Sequence, residues 1–331
     1  MIYLGEQYDA LSEYSKEVIC WLSIKILGKF NVKTNKNGYN CNKTDCKICK
    51  TTKKKTNLSQ KFRDVFTIDM ITDLITSKPE KYIELSNLCY LNYDEDIFSN
   101  NIILSNFESE CKELFVDSGY TNWFLKEKKN YKLAKLLNQH TCIYCNREYI
   151  FIYEKKGKGM VPQFDHWYNK GDISLLALSF YNLIPSCATC NTIKADNKFD
   201  IDNHLHPYVD LNISDSYSFS YRLKSLTENE ITVVNNALSG IKGENTIKDL
   251  NLDLIYKGHS NKELQDLIDL RYKYSDNYLN ILLEQMFPDL KVSKAERYRL
   301  IFGIEIDKEN YHKRIFSKFK NDIINQLISI D

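Results

Sequence analysis

The sequence predicts an α+β protein, mainly helical, with a small zinc-bound module containing β-structure at its centre. Three observations carry this. Apolar residues recur at helical spacing through most of the first 137 positions and again from Thr246 onward. That period is lost between residues 139 and 206, where two Cys-x-x-Cys pairs stand among glycine-marked turns and a run of β-formers. Finally, 331 residues at 43% hydrophobic and 27% charged, with five prolines and eleven glycines, describe a soluble globular chain with few flexible linkers. That balance excludes a disordered chain, a collagen and a disulfide mini-protein, and the length allows two or three structural units. We divide the chain into a helical region (1–138) carrying a Cys-rich basic insert (41–63), a central module (139–206), and short strands followed by helices (207–331).

Each element has a local reason. Tyr8, Leu11, Tyr14, Val18 and Leu22 share a helical face near the start. Helical patterning resumes at Phe62 and runs to Leu137, with breaks at Lys78-Pro79, at Asn92 to Asp96 and at Ser118-Gly119. Asp117-Ser118-Gly119 reads as a turn before a helix from Tyr120 to Leu137. In the module, Glu148 to Tyr153 is a strand by composition, and Met160 to His166 is its expected hairpin partner. Cys187 to Ala195 begins a helix. Tyr217, Phe219 and Tyr221, then Ile231 and Val233, alternate as strands do. Leu264, Leu267, Ile268 and Tyr272 fall on one helical face, and Glu309 to Ile330 forms an amphipathic helix.

Charge and cysteine usage narrow the setting. Lys and Arg number 45 against 44 acids, so no global field draws the chain to nucleic acid or membrane, and any attraction must be local. Val18 to Leu27 is too short to span a bilayer and contains Lys25. The start, with Glu6, Asp9, Glu13 and Glu17, lacks the features of a signal peptide, so a cytoplasmic protein is expected. Ten cysteines in that compartment are mostly reduced, and closely spaced ones read as metal ligands before disulfides.

Cys142-x-x-Cys145 and Cys187-x-x-Cys190 each aim two sulfurs at one point. Four thiolates satisfy tetrahedral Zn²⁺ with no open position, which makes a structural site. Metal binding would supply folding free energy to a module too small for a large core. The plainer alternative is two unrelated pairs of buried cysteines. A second set of groups lies between and after the pairs: Asp165-His166, Asn182, Asn191 and Lys194. Phosphodiester hydrolysis needs an activated water and stabilisation of charge on the phosphoryl and leaving oxygens. An imidazole changes charge near neutral pH and suits the first task. One Mg²⁺, which favours oxygen ligands and keeps several waters, suits the second. Asp165 offers a carboxylate and Asn191 an amide oxygen on the first turn of a helix, where backbone N–H groups also favour phosphate.

In their order, Cys142, Cys145, Asp165, His166, Asn182, Leu183, Pro185, Cys187, Cys190, Asn191 and Lys194 resemble the HNH endonuclease family, whose core is a zinc-stapled ββα-metal module. The likeness covers residues 139–205. Asn191 stands where the family often has His, and Trp167 to Gly171 replace its usual proline and Gly-Gly. Phe164 to His166, Ser179 to Cys187, His206-Pro207-Tyr208 and the tract from Tyr298 to Leu327 are similar to HNH nucleases of anti-phage systems such as Septu and some retrons. The resemblance implies His166 as general base, Asp165 and Asn191 as ligands of catalytic Mg²⁺ or Mn²⁺, and Asn182 as the residue that orients the histidine or its loop. It implies cleavage of nucleic acid, expected to be DNA, to 5′-phosphate and 3′-hydroxyl ends, with a partner such as an ATPase controlling activity. Two other readings use the same residues: a non-catalytic zinc module that binds nucleic acid or scaffolds a partner, and an RNA-cleaving toxin on the same core.

Weaker signals remain. Cys41-x4-Cys46-x2-Cys49 is a candidate second metal site whose fourth ligand is Cys20, Cys89 or Cys111; the alternative is free thiols in a surface loop. From Cys41 to Arg63 there are eight Lys or Arg and one acid, including Lys53, Lys54 and Lys55, which read as nucleic-acid contacts or as a solvated run. The same choice applies to Lys126 to Lys135 and to Lys194. Lys155, Lys156 and Lys158 occupy a hairpin tip that suits entry into a groove. His204 and His206 read as structural before functional.

Overall fold

The computed structural model describes residues 1–31, 38–41, 45–155, 158–195, 197–225, 228–273, 281 and 293–328. They form two compact units. One comprises Glu6–Leu137 with Asp165–Ile184, the other Met1–Gly5, Asn138–Phe164 and Pro185–Asp331. The architecture is α+β, with helices predominating and small two-stranded sheets. The stretch 139–206, expected as one module, divides between the two units.

The first unit is helical: α1 (Tyr8–Leu27), α2 (Lys47–Thr51), α3 (Gln60–Val65), α4 (Ile68–Thr76), α5 (Tyr82–Tyr93), α6 (Asn101–Cys111) and α7 (Lys129–Leu137). Side-chain caps set several starts. Ser59 accepts from Phe62 N, Thr67 from Met70 N, and Asn100 from Ile102 N and Ile103 N. Gly28, at φ 82°, ends α1 and returns its N–H to Ile24 O. Between α6 and α7 the chain stays helical in a wider-turned stretch, Lys112–Lys126, so the turn expected at Asp117 to Gly119 is absent. Gly119 serves close approach instead: a Cβ there would lie 2.7 Å from Leu178 Cδ1.

Residues 165–184 join this unit because their apolar side chains need a partner surface. Leu175, Leu176, Ala177 and Leu178 are fully buried. Tyr14 Oη donates to Leu178 O at 2.9 Å, and Ser179 Oγ donates to Leu74 O at 2.5 Å. A stretch of this size cannot enclose such residues by itself, which is why the expected module does not stand apart.

In the second unit, β1 (Tyr153–Lys155) and β2 (Lys158–Met160) form a short antiparallel hairpin. Of the strand expected over Glu148 to Tyr153, only Tyr153 falls in β1, and Tyr149 forms an isolated bridge with Thr141. Nor is that segment the partner of the strand that ends at His166: β3 (Gln163–His166) pairs with β4 (Leu183–Ser186). Helix α8 (Ala188–Ala195) follows β4. β5 (Tyr217–Leu223) and β6 (Asn229–Asn235) pair antiparallel from Tyr217↔Asn235 to Leu223↔Asn229, on the strands expected from alternation. Then come α9 (Gly240–Asp249), α10 (Leu252–Lys257), α11 (Gln265–Lys273), α12 (Lys294–Phe302) and α13 (Ser317–Ile328). The last helix begins later than expected, after a separate six-residue 3₁₀ stretch, Lys308–Lys313. Asp322 Oδ2 accepts from Phe219 N at 2.9 Å, and Gln326 Nε2 donates to Phe219 O at 2.9 Å, so α13 is pinned to β5. Leu264, Leu267 and Ile268 are buried as their spacing predicts, but Tyr272 is exposed.

Candidate functional site

Cys142 and Cys145 sit on a tight turn closed by Asn146 N donating to Cys142 O at 2.8 Å. Asn146 takes the left-handed conformation, φ 51°, which asparagine tolerates better than most residues. Cys187 and Cys190 belong to the start of α8. Two sulfurs accept backbone N–H groups at 3.4 Å, Cys145 from Arg147 and Cys187 from Cys190. All four cysteines are buried and free of disulfides, and their Sγ atoms lie within 4.8 Å of one another. Cys145 and Cys187 are 4.0 Å apart. A tetrahedron with Zn–S of ~2.3 Å has an edge of about 3.8 Å, so the donor set fits structural zinc. In the absence of metal, hydrogen bonds from the neighbouring thiols hold Cys145 well below the usual thiol range, while burial pushes Cys142 up.

The surroundings lock this quartet. Asn146 Nδ2 lies within hydrogen-bond distance of Thr141 Oγ1 (2.9 Å), Tyr311 O (2.9 Å) and Arg314 O (3.0 Å). Asn146 O accepts from Phe316 N at 2.7 Å. Tyr256 Oη donates to Cys145 O at 2.6 Å. Nothing in the sequence singled out Asn146; its one signal is its place immediately after the knuckle, where a positive φ is often needed.

A second quartet lies in the helical unit. Cys20, on the buried face of α1, meets Cys41, Cys46 and Cys49, again with all sulfurs within 4.8 Å. Cys20 Sγ is 3.8 Å from Cys46 Sγ and 3.1 Å from Cys49 Sγ. Of three candidates for the fourth ligand the structure selects Cys20; Cys89 and Cys111 are buried apart from the cluster. This set too can hold structural zinc.

Asp165 and His166 end β3 in the helical unit, and both are buried. His166 Nε2 lies 3.0 Å from Ala177 O. A carbonyl only accepts, so Nε2 carries the proton and the acceptor nitrogen of the neutral ring is Nδ1. Tyr120 packs edge-on against the imidazole with ring centroids 4.3 Å apart, and Lys170 Nζ stands 5.5 Å from the centre of the Tyr120 ring. Burial, with the charge of Asp165 added, pushes the Tyr120 phenol up, so it stays protonated. Asn182, wholly buried, clasps the loop between them: Nδ2 donates to Tyr168 O (3.1 Å) and Leu176 O (3.0 Å), and Oδ1 accepts from Tyr168 N (2.6 Å). The residue after His166 is tied as well, Trp167 N donating to Asn182 O at 2.9 Å.

No protein-family model, no curated protein and no solved structure matches the chain.

Other expected site residues are placed as follows. Asn191 lies on the first turn of α8 in the second unit, its Nδ2 donating to Gln163 Oε1 at 2.7 Å. Asp165 and Asn191, the expected oxygen ligands of Mg²⁺ or Mn²⁺, thus belong to different units. Lys194 corrects the sequence reading. It is 1% exposed, with Nζ 4.8 Å from the centre of the Phe199 ring, and so is no surface lysine. The helix turns it inward, where its stem packs and the aromatic face meets the cation. Lys53, Lys54 and Lys155 are exposed, whereas Lys55 pairs with Glu113 at 2.9 Å. Lys156 and the side chain of Lys158 lie outside the described residues. Lys132 pairs with Glu17 at 2.6 Å and Lys126 donates to Asn122 Oδ1 at 2.7 Å, so much of that run is engaged within its own unit. His204 bridges Asp200 N (3.3 Å) and Asp249 Oδ2 (3.0 Å) and stacks on Phe199, a structural arrangement. Among the described residues no helix is long and apolar enough to cross a membrane.

Proposed function

We propose that the protein is a zinc-stabilised, metal-dependent endonuclease that hydrolyses phosphodiester bonds of nucleic acid, with DNA the expected substrate, as its resemblance to HNH nucleases implies. The observation that supports this most is the fixed tautomer of His166, whose Nε2–H is committed to Ala177 O at 3.0 Å. A general base needs a held ring with its lone pair on a defined nitrogen. When Nδ1 takes a proton from water, the Nε2–H···O bond becomes charge-assisted and strengthens, so the protonated state is stabilised where it forms. Asn182 holds both strands of the loop and so keeps that carbonyl in place. Asp165 and Asn191 each carry an oxygen donor of the kind Mg²⁺ or Mn²⁺ takes, and it is the resemblance that names both as its ligands. Bound metal would offset charge on the phosphate and on the departing 3′ oxygen. Attack of the deprotonated water on phosphorus breaks the P–O3′ bond; the departing 3′ oxygen takes a proton from solvent water, which leaves 5′-phosphate and 3′-hydroxyl ends. By the same resemblance we place the enzyme in anti-phage defence, under the control of a protein partner such as an ATPase.

The burial of His166, with Tyr120 across its ring, favours a second reading in which the histidine is structural and the zinc protein binds nucleic acid or a partner without cutting. One set of measurements separates them. Plasmid DNA, single-stranded RNA and tRNA are incubated with the chain and Mg²⁺ or Mn²⁺, alongside His166→Ala. The enzyme reading expects cleavage, cut by about 100-fold or more in the variant, with zinc content and melting temperature retained. Cleavage by the variant at the wild-type rate removes His166 as base. A wild type that cuts nothing, with a variant that melts several degrees lower, establishes the structural reading. Preference for RNA over DNA reassigns the substrate.

A further inference from the structure

The two cysteine quartets differ in how they meet solvent, a difference the nuclease chemistry does not use. Cys142, Cys145, Cys187 and Cys190 are each at most 5% exposed. In the helical unit Cys20 is 2% exposed, but Cys41, Cys46 and Cys49 are partly open to solvent. Cys20, Cys41 and Cys46 also line a cleft of about 800 Å³, so a small solute can approach the cluster there. The charge around these sulfurs favours their anionic form. On the cleft wall Lys129 pairs with Glu17 at 3.7 Å, Lys16 with Glu13 at 2.8 Å, and Asp45 with Lys50 at 3.0 Å. Lys47 is exposed, directly follows Cys46, and makes no ion pair among the described residues, so one cation is left over beside the sulfurs.

The sulfurs are also near enough to react with one another, Cys20 Sγ lying 3.1 Å from Cys49 Sγ. Partly exposed thiolates in electropositive surroundings, with a second thiol in reach, are the arrangement of oxidation-sensitive cysteines, whereas fully buried ones are inert. We infer that the quartet of Cys20, Cys41, Cys46 and Cys49 is a site of reversible oxidation by hydroperoxides, at which Cys49 is oxidised and Cys20 closes a disulfide. The inference goes beyond the nuclease reading and does not rest on it. With hydrogen peroxide, the Cys49 thiolate attacks one oxygen: the S–O bond forms, the O–O bond breaks and hydroxide leaves. The Cys20 thiolate then attacks the sulfur of that sulfenic acid: the S–S bond forms, the S–O bond breaks and a second hydroxide leaves. The two sulfurs have given two electrons to the peroxide, and both hydroxides take protons from solvent to become water. Two thiolates of four then remain, too few for a closed tetrahedral Zn²⁺ site. The oxidised form thus exchanges a metal clamp for a covalent one, which keeps Cys49 on α1 and releases Cys41 and Cys46.

The test uses the wild-type chain, in which the first quartet serves as internal control. Protein loaded with zinc is treated with a small excess of hydrogen peroxide beside an untreated sample. A zinc indicator too weak to strip either site reports release, and peptide mapping under non-reducing conditions locates the oxidised sulfurs. One equivalent of zinc should leave at least about tenfold faster than the other, since access and surroundings set thiolate reactivity. A Cys20–Cys49 disulfide should appear at the same rate, with Cys142, Cys145, Cys187 and Cys190 still reduced. Dithiothreitol followed by zinc should restore the starting state, as it does for a disulfide and does not for the higher oxides of sulfur. Where a preparation carries a single equivalent of zinc, the disulfide alone decides. Oxidation of both quartets at one rate, or of the first before the second, overturns the inference. So does a disulfide that omits Cys20 or Cys49, or a second quartet left untouched by peroxide that oxidises free cysteine in the same tube. Cleavage of nucleic acid has no bearing on any of these outcomes, so the nuclease reading and this inference fail separately.

Discussion

Two quartets of the same ligand are set into this chain in different ways. Cys142, Cys145, Cys187 and Cys190 are all buried, and two of their sulfurs are bonded to backbone N–H groups. The peptide around them is tied to residues far along the chain, Tyr256, Tyr311, Arg314 and Phe316. In the other quartet only Cys20 is buried; Cys41, Cys46 and Cys49 are partly exposed. Cys20 belongs to a helix with a buried face of its own, which includes the Trp21–Trp123 contact at 5.3 Å and Tyr14 packed against Phe124 and Phe180. The comparison teaches that a metal bound by each quartet would have a different job. In the first quartet it would form the core of its neighbourhood. In the second it would fasten a lysine-rich segment to a helix with its own buried face.

The largest effect should follow from breaking the first quartet. Cys187→Ser removes one of four thiolates and leaves three buried sulfurs without their metal. Structural zinc in small modules supplies apparent free energies of ~10–16 kcal/mol, comparable with the whole stability of a domain. The variant is expected to lose one equivalent of zinc and the cooperative melting of the second unit. Metal analysis and a thermal melt check this; a variant that lacks the zinc but melts as wild type does would show that the C-terminal helices fold without it.

Asn146→Ala tests whether the tie between knuckle and C-terminal segment matters as much as the sulfurs. It strips buried carbonyls of Tyr311 and Arg314 of a donor, worth about 1–3 kcal/mol, and forces alanine into a left-handed conformation at roughly 1–2 kcal/mol more. We expect a loss of about 2–4 kcal/mol by urea denaturation with zinc still bound. Asn146→Gly relieves only the backbone part and should recover about 1–2 kcal/mol of it. Equal losses in both variants would place the whole effect in the side chain.

What the sequence made legible follows the same division. The first quartet was visible because both halves are local: a Cys-x-x-Cys turn declares itself in four residues. Three members of the second were visible for that reason, but Cys20 was not separable from Cys89 and Cys111, since only the folding of α1 against the segment selects it. The helices and the β5–β6 hairpin could be read from periodicity, which is also local. Partnership was not. Gln163–His166 pairs with the strand after its loop instead of with Glu148 to Tyr153, because the apolar stretch from Leu175 to Leu183 must be buried against helices more than forty residues earlier in the chain. Gly119 misled as a turn because composition does not distinguish a glycine that bends the chain from one that admits Leu178. The inward turn of Lys194, the ring of Tyr120 against His166 and the hub at Asn146 depend on such distant contacts and carry no local mark.

The smallest effect is expected at the second quartet. Cys49→Ser alters a partly exposed residue, so it removes a ligand without opening a cavity in the core of α1. If this zinc fastens only a peripheral segment, the variant should lose one equivalent of metal while the melting temperature falls by no more than a few degrees. Hydrogen exchange should then rise in residues 38–41 and 45–55 and stay unchanged in α4, α5 and the Lys112–Lys126 stretch, since local opening need not involve the global fold. The same exposure predicts the order of metal loss: a chelator with a colour change on binding zinc should draw one equivalent quickly from wild type and the other slowly, and the quick phase should be missing in Cys49→Ser. A single phase for both equivalents, or a melting temperature that collapses as it does in Cys187→Ser, would mean that the two quartets are equally central and that burial is the wrong measure of what each metal holds.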